Sequence, residues 1–238
     1  MASFSVAISS FGRVMGLWST SIGKKAVMAV TGLILVGFVI GHMLGNLKIF
    51  QGEEKFNIYA VWLRDVGSPA LGHEQFLWLA RFILLAATGL HIVAAVQLTQ
   101  MSYAARPLSY AQKQAIQATY ASRTMRWGGV IITLFVVYHI LHFTFGVVGF
   151  GAGQFKPMSV YRNVVIGFSV WYVSAFYIAA MVALGLHMYH GVWSMFQTLG
   201  LNSENAGRLY RALAIVSSVV VVLGNTSVPT AVLTGLVK

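Results

Sequence analysis

The chain has 238 residues, of which 58% are hydrophobic and 9% charged, and it contains no cysteine. Soluble domains carry about 25% charged residues, so this composition, with a mean hydropathy of +0.75, predicts a membrane protein. The net charge of +11 is therefore assigned to loops that meet anionic lipid headgroups, and not to a nucleic-acid partner. The lack of cysteine excludes disulfides, thiolate catalysis and thiolate-held metal centres on this chain.

Five apolar runs are long enough to cross a bilayer, which takes roughly 20 helical residues. They lie at about 26–47, 76–100, 127–150, 164–197 and 212–232. The fourth run is long enough to tilt or to protrude from the bilayer. Since no tandem repeat divides the chain, residues 1–238 are predicted to form one membrane domain, an all-α bundle of five transmembrane helices.

The loops between these runs differ in their content of basic residues. Lysine and arginine are more frequent in the N-terminal arm and in the loops after the second and fourth runs, where the residues are Arg13, Lys24, Lys25, Arg106, Lys113, Arg123, Arg126, Arg208 and Arg211. The positive-inside rule therefore predicts a cytoplasmic N-terminus and an external C-terminus. The longest loop on the other side, 48–75, is amphipathic near 56–63 and is expected to lie along the outer interface.

Six of the seven histidines fall inside the five runs, where ionisable side chains are rare and usually functional. With a rise of about 1.5 Å per residue, His91 and His187 lie at matching depths, about 14 and 15 Å from the inner ends of their helices. His42 lies at about 24 Å, and its candidate partners are His139 at about 18 Å and His142 at about 22 Å. Depth therefore predicts an inner pair and an outer pair, and leaves the second member of the outer pair open.

Two imidazoles that face each other from different helices can hold a haem iron from both sides. A site for zinc or a hard cation normally adds thiolates or carboxylates, and the five runs contain no cysteine, aspartate or glutamate. Bis-imidazole ligation needs neither and leaves no open coordination position, which suits electron transfer. The alternative for a single histidine is a neutral imidazole that is hydrogen-bonded to a neighbouring helix.

Glycines near the histidines would let a flat macrocycle approach the backbone, and the alternative is ordinary close packing of helices. They are Gly41, Gly45, Gly89, Gly146, Gly185 and Gly191.

Four segments carry a resemblance to a known family: STSIGKKAVMAVTGLIL, GHMLGNLKIF, RTMRWGGVIITLFVVYHILHFTFG and LGLHMYHGVWSMFQTLG. They are similar to the cytochrome b membrane anchors of succinate:quinone oxidoreductases, of the single-chain, five-helix, two-haem b558 type. The resemblance implies that His42 and His139 ligate a distal haem, and that His91 and His187 ligate a proximal haem. For His190 it implies either contact with a haem propionate or a hydrogen-bonded interior position.

Basic residues near the haem edges are candidates to neutralise the anionic propionates. They are Lys24, Arg123 and Arg126 on the inner side and Arg81 on the outer side, with snorkelling to lipid headgroups as the alternative.

The quinone site is expected, by the same resemblance, near the distal haem on the outer side. Arg64 and Asp65 lie there, just before a Gly-Ser-Pro turn. A carboxylate beside a quinone can move the protons that accompany its reduction or oxidation. The alternative is that both residues are solvated loop charges.

The resemblance implies a flavoprotein subunit and an iron–sulfur subunit of succinate dehydrogenase or fumarate reductase as cytoplasmic partners. It implies two haem b and a quinone, with menaquinone favoured, and a bacterial inner membrane as the location. The dicarboxylate chemistry, in the tricarboxylic acid cycle or in fumarate reduction, would belong to the partners. The direction of turnover and a higher oligomer of the complex stay open.

Two other functions stand as alternatives. One is a cytochrome b subunit of another membrane oxidoreductase, of the hydrogenase or formate dehydrogenase type. The other is a haem-free, proton-coupled transporter that uses the histidines as a relay, a class that often shows inverted repeats.

Overall fold

The computed structural model describes residues 16, 18–105, 120–201 and 203–238. Within these residues the chain is helical and forms no strand. Seven α-helices are described over residues 21–105, 120–201 and 203–238: α1 (Ser21–Asn46), α2 (Glu53–Trp62), α3 (Gln75–Ala104), α4 (Tyr120–His139), α5 (Val160–Ser169), α6 (Trp171–Thr198) and α7 (Glu204–Leu233). A 3-10 turn, Leu47–Gln51, extends α1, and a π-helical turn, Ile140–Thr144, extends α4.

In the part of the chain that the structure describes, five helical segments are long and apolar enough to cross a membrane: Ser21–Gln51, Gln75–Ala104, Thr124–Thr144, Trp171–Thr198 and Ala206–Leu233. Their most apolar windows have mean hydropathies between 1.5 and 2.2. Large apolar side chains such as Leu85 and Leu134 are exposed on the helices, as expected where a helix faces lipid. The chain is therefore a multi-pass, all-α membrane protein, and the predicted fold class is confirmed.

The third apolar run was expected to continue to Phe150, but its helix ends at Thr144. The N–H of Phe145 donates to the carbonyl of Ile140, five residues back, and Gly146 and Gly149 then adopt φ values of 64° and 75°. Glycine tolerates this left-handed conformation far better than other residues. The chain leaves the helix here because of these two glycines, although the sequence stays apolar.

The fourth run, expected as one helix over about 164–197, is divided into α5 and α6. Val170 is extended, with φ −83° and ψ 107°, and separates the two helices. The buried hydroxyl of Ser174 donates to the carbonyl of Phe168 over 2.7 Å. This bond satisfies one of the carbonyls that a helix end leaves without an intrahelical partner.

The segment near 56–63, which was expected to be amphipathic, lies largely in α2, and this helix exposes the apolar side chains of Ile58, Val61 and Trp62. Phe56 is buried, and the side-chain oxygen of Asn57 accepts the backbone N–H of Tyr161 over 3.1 Å. These contacts hold α2 against α5 at one end of the bundle, called the α2 end below.

Helix packing decides which side chains meet. α1 packs along α3, α4 packs along α6, and α6 packs along α7. Over the described ranges, no extended backbone contact joins α1 to α4 or α3 to α6. Side chains from these helices therefore meet across a gap between backbones.

Candidate functional site

The outer pair consists of His42 on α1 and His139 at the end of α4. Their ring centroids are 5.8 Å apart and their planes are inclined by 86°. Phe38 stacks on His42 with centroids at 5.3 Å, and Phe135 stacks on His139 at 5.8 Å. Each phenylalanine precedes its histidine by four residues, so it lies on the same helix face. Helix depth did not decide whether His139 or His142 is the partner of His42. In the structure His139 lies beside His42.

The inner pair consists of His91 on α3 and His187 on α6, with ring centroids 6.4 Å apart and planes inclined by 60°. Each ring lies against the glycine backbone of a neighbouring helix. A Cβ built on Gly32 would lie 3.5 Å from Cε1 of His91, and one built on Gly129 would lie 3.7 Å from Cε1 of His187. The structure therefore brings together the same inner pair that helix depth predicts.

The hydroxyl of Thr31, which is buried on α1, lies within hydrogen-bonding distance of His91. Its Oγ1 donates to the carbonyl of Val27 over 2.7 Å, and the same oxygen lies 3.1 Å from Nδ1 of His91. A hydroxyl carries one proton. When that proton is directed to Val27, Nδ1 of His91 donates to Thr31. Nε2 of His91 then keeps its lone pair, which is the state a metal ligand requires.

The spacing within both pairs fits an iron ion between two imidazoles. A metal–nitrogen bond of about 2 Å, with roughly 1 Å more from each nitrogen to its ring centre, places two ligand centroids roughly 6 Å apart. The observed separations are 5.8 Å and 6.4 Å. A cavity of about 190 Å³ adjoins His187 of the inner pair, and its lining also includes Gly128, Ile131 and Ala183. The residues present therefore fit bis-imidazole ligation of two haems.

The six glycines expected to admit a macrocycle differ in their surroundings. A Cβ on Gly146 would collide with Phe155, and one on Gly191 would lie 3.8 Å from Cε of Met125, an ordinary contact. A Cβ on Gly41 or Gly89 would meet nothing within 4 Å, so both lie beside open space. A Cβ on Gly185 would collide with Val222 of α7, and one on Gly45 would lie 2.6 Å from the Tyr59 hydroxyl. Gly185 and Gly45 therefore serve close packing, which was the alternative.

His142 and His190 lie outside the two pairs. His142 is fully buried in the π-helical turn, with Nδ1 2.9 Å from the hydroxyl oxygen of Tyr177. The same oxygen lies 3.4 Å from Nδ1 of His139. His190 is half-buried on α6, three residues after His187.

Sequence reasoning missed two hydroxyls that contact the paired histidines, those of Thr31 and Tyr177. Thr31 precedes His42 by eleven residues, which is about three helical turns and so the same face. This spacing could have identified Thr31 from the sequence as a residue near the histidines. For Tyr177 the sequence offers none, because it depends on the geometry of the π-helical turn.

The basic residues predicted near haem propionates have partners within the chain. Lys24 is buried and donates from Nζ to the carbonyl of Trp18 over 2.6 Å. The guanidinium of Arg126 donates to the Tyr103 hydroxyl over 2.7 Å, and that of Arg81 lies 4.7 Å from the ring centre of Trp78. The side chain of Arg123 lies outside the described residues, and a propionate role for these four residues stays a prediction.

The two residues predicted for the quinone site lie at the α2 end, just after α2. Nε of Arg64 donates to Oε1 of Glu74 over 3.0 Å, and its Nη1 donates to the carbonyl of Ala60 over 2.6 Å. Oδ1 of Asp65 lies 2.8 Å from Nδ1 of His73, and both side chains are exposed. Arg64 is therefore held in place, whereas Asp65 and His73 form an open acid–imidazole pair.

No family model, characterised protein or solved structure matches this chain. The fold and the composition define the class, a multi-pass helical membrane protein with paired intramembrane histidines.

Proposed function

We propose that this chain is the dihaem cytochrome b membrane anchor of a succinate:quinone oxidoreductase. The observation that carries the proposal is the presence of two imidazole pairs at two levels of one bundle. Each pair joins helices without extended backbone contact, at a centroid spacing of 5.8 Å or 6.4 Å. The assignment to a succinate:quinone oxidoreductase in particular is based on the resemblance of the four sequence segments.

In this proposal His91 and His187 hold the proximal haem, and His42 and His139 hold the distal haem. Bound haem supplies one-electron chemistry at each pair. The chain contributes ligation and orientation: Thr31 holds His91 in the ligand tautomer. Phe38 and Phe135 restrict the outer imidazoles by stacking and cover them with apolar surface.

The partner subunits are proposed to dock at the end opposite the α2 end, which the positive-inside rule places in the cytoplasm of a bacterium. A cavity of about 590 Å³ lies there, with Trp193, Arg208 and Arg211 in its lining. The Arg211 guanidinium lies 5.1 Å from the centre of the Trp193 ring. A basic, partly aromatic surface suits contact with the iron–sulfur subunit, which in turn carries the flavoprotein subunit.

Quinone is proposed to bind at the α2 end, close to the outer pair. Asp65 and His73 offer a carboxylate and an imidazole that share a hydrogen bond of 2.8 Å and reach solvent. Such a pair can take up or release the proton that accompanies each electron at a quinone oxygen. Arg64, fixed by Glu74, provides a donor beside them, and the resemblance favours menaquinone.

Haem content tests this proposal directly. The chain is purified with its partners, haem b is quantified by the pyridine haemochrome assay, and the subunits are identified by mass spectrometry. We expect two haem b per chain together with flavoprotein and iron–sulfur subunits. A folded preparation without haem would overturn the cytochrome function and favour the transporter. Two haems with hydrogenase or formate dehydrogenase subunits would overturn only the assignment to succinate:quinone oxidoreductase.

A further inference from the structure

One buried hydroxyl joins a histidine of the outer pair to a histidine outside it. The Tyr177 oxygen lies 3.4 Å from Nδ1 of His139 and 2.9 Å from Nδ1 of His142. Tyr177 is 5% exposed and His142 is 0% exposed, so water does not compete for these bonds. The contacts cross from α4 and its π-helical turn to α6.

The protons in this chain of three groups can be assigned if His139 ligates through Nε2. Its Nδ1 then carries a proton and donates to the Tyr177 oxygen. The single hydroxyl proton of Tyr177 is consequently donated to Nδ1 of His142. His142 must keep its own proton on Nε2. Every bond in the chain then runs in one direction, from His139 through Tyr177 to His142.

The His142 ring is tightly enclosed and has no room to turn. Its ring stacks on Phe143 with centroids 4.0 Å apart. A Cβ on Gly149 would lie 2.6 Å from its Nε2, and one on Gly167 would lie 2.9 Å from the same atom. The glycine backbones therefore wall the ring in, and Nε2 is buried without a hydrogen-bond partner among the described residues. The His142 ring is thus held in place beside Tyr177, and in the proton assignment given above its Nδ1 accepts from the Tyr177 hydroxyl.

We propose that Tyr177, with its proton held by His142, is a positioning residue that tunes the outer pair separately from the inner pair. This inference rests on the proposed haem ligation. An acceptor at Nδ1 makes an imidazole a stronger electron donor to its metal and so favours the oxidised ion. The acceptor is itself strengthened when its own proton is donated onward. Removing the Tyr177 oxygen should therefore raise the potential of the outer haem.

The inner pair offers a matched control. Thr31 accepts from Nδ1 of His91 over 3.1 Å, but its proton ends on the backbone carbonyl of Val27. Tyr177→Phe and Thr31→Val each delete one hydroxyl next to one ligand and keep the size of the side chain nearly unchanged. The two substitutions should therefore act on different haems.

The test is a potentiometric titration of the two haems in the purified complex, with haem content measured in parallel. We expect Tyr177→Phe to raise the midpoint potential of one haem by about 28 mV. This corresponds to a change of about threefold in the equilibrium between the oxidised and reduced forms for one electron. Thr31→Val should raise the other midpoint, and His142→Leu should move the same midpoint as Tyr177→Phe, by less. Loss of one haem alone in Tyr177→Phe would also support the proposal.

Several results would overturn it. In Tyr177→Phe these are unchanged midpoints with both haems retained, or equal shifts of both midpoints. If Tyr177→Phe does not assemble, His142→Leu decides, and unchanged midpoints in that variant would refute the proposed tuning through Tyr177 and His142. A wild-type complex without haem would refute the proposed function instead, so the two failures are distinguishable.

Discussion

Substituting alanine for Gly149 should destabilise the protein more than the same change at Gly153. Both residues have left-handed backbones, with φ of 75° and 72°. An L-residue there costs roughly 1–2 kcal/mol, partly offset by about 0.4–1 kcal/mol from the reduced entropy of the unfolded chain. This free-energy cost of the left-handed backbone is the same in both variants. Gly153→Ala is therefore a control for the effect of the backbone conformation alone.

The difference between the two variants comes from the neighbouring atoms. A Cβ on Gly153 would meet nothing within 4 Å, whereas one on Gly149 would lie 2.6 Å from Cδ2 and Nε2 of His142. His142 cannot retreat, because it stacks on Phe143 and bonds to Tyr177. Overpacking of this kind costs about 1–3 kcal/mol, which we expect as the additional destabilisation of Gly149→Ala.

Thermal unfolding of both variants in the same detergent measures this difference. We expect Gly149→Ala to have a clearly lower midpoint than Gly153→Ala, and Gly153→Ala to have a midpoint slightly below that of the wild type. Gly149→Ala should also disturb the bond between His142 and Tyr177. Equal midpoints in the two variants would refute the tight enclosure of His142. They would also weaken the proposal that His142 and Tyr177 tune the outer pair.

Three further predictions follow from other parts of the site. His187→Ala should reduce haem content from two to one per chain or prevent assembly, whereas His190→Ala should keep two haems; the reverse result in the haemochrome assay would exchange their roles. Ser174→Ala should lower stability by about 1–3 kcal/mol, because the Phe168 carbonyl loses its buried donor; an unchanged unfolding midpoint would contradict this. Arg64→Gln should slow quinone turnover with haem content unchanged, as it breaks the ion pair with Glu74; wild-type steady-state rates would remove Arg64 from the quinone site.

Helix depth predicted the inner pair from sequence but did not select the partner of His42. Counting residues gives a position along a helix axis, and on that scale His142 is nearer to His42 than His139 is. Which helix a side chain faces depends on its direction around the axis. The π-helical turn directs His142 toward Tyr177 on α6, while His139 faces α1. Such a turn has no clear sequence signal here, so the choice required the structure.

The break between α5 and α6 was hidden for a similar reason. Residues 164–197 are apolar nearly throughout, and no proline marks Val170. The break is stabilised by a tertiary feature, the bond from Ser174 to Phe168, and buried packing around Val173 and Tyr177. Hydropathy predicts that a segment lies in the membrane, and it does not predict where its backbone is interrupted.

The hydrogen bonds around the histidines can be compared with what a proton relay would need. A relay needs groups that both accept and release protons along an unbroken path. The path from His91 through Thr31 ends on the carbonyl of Val27, which has no proton to pass on. The path from His139 leads through Tyr177 to His142. In the proposed cytochrome, Thr31 and Tyr177 each orient an imidazole that would hold a metal.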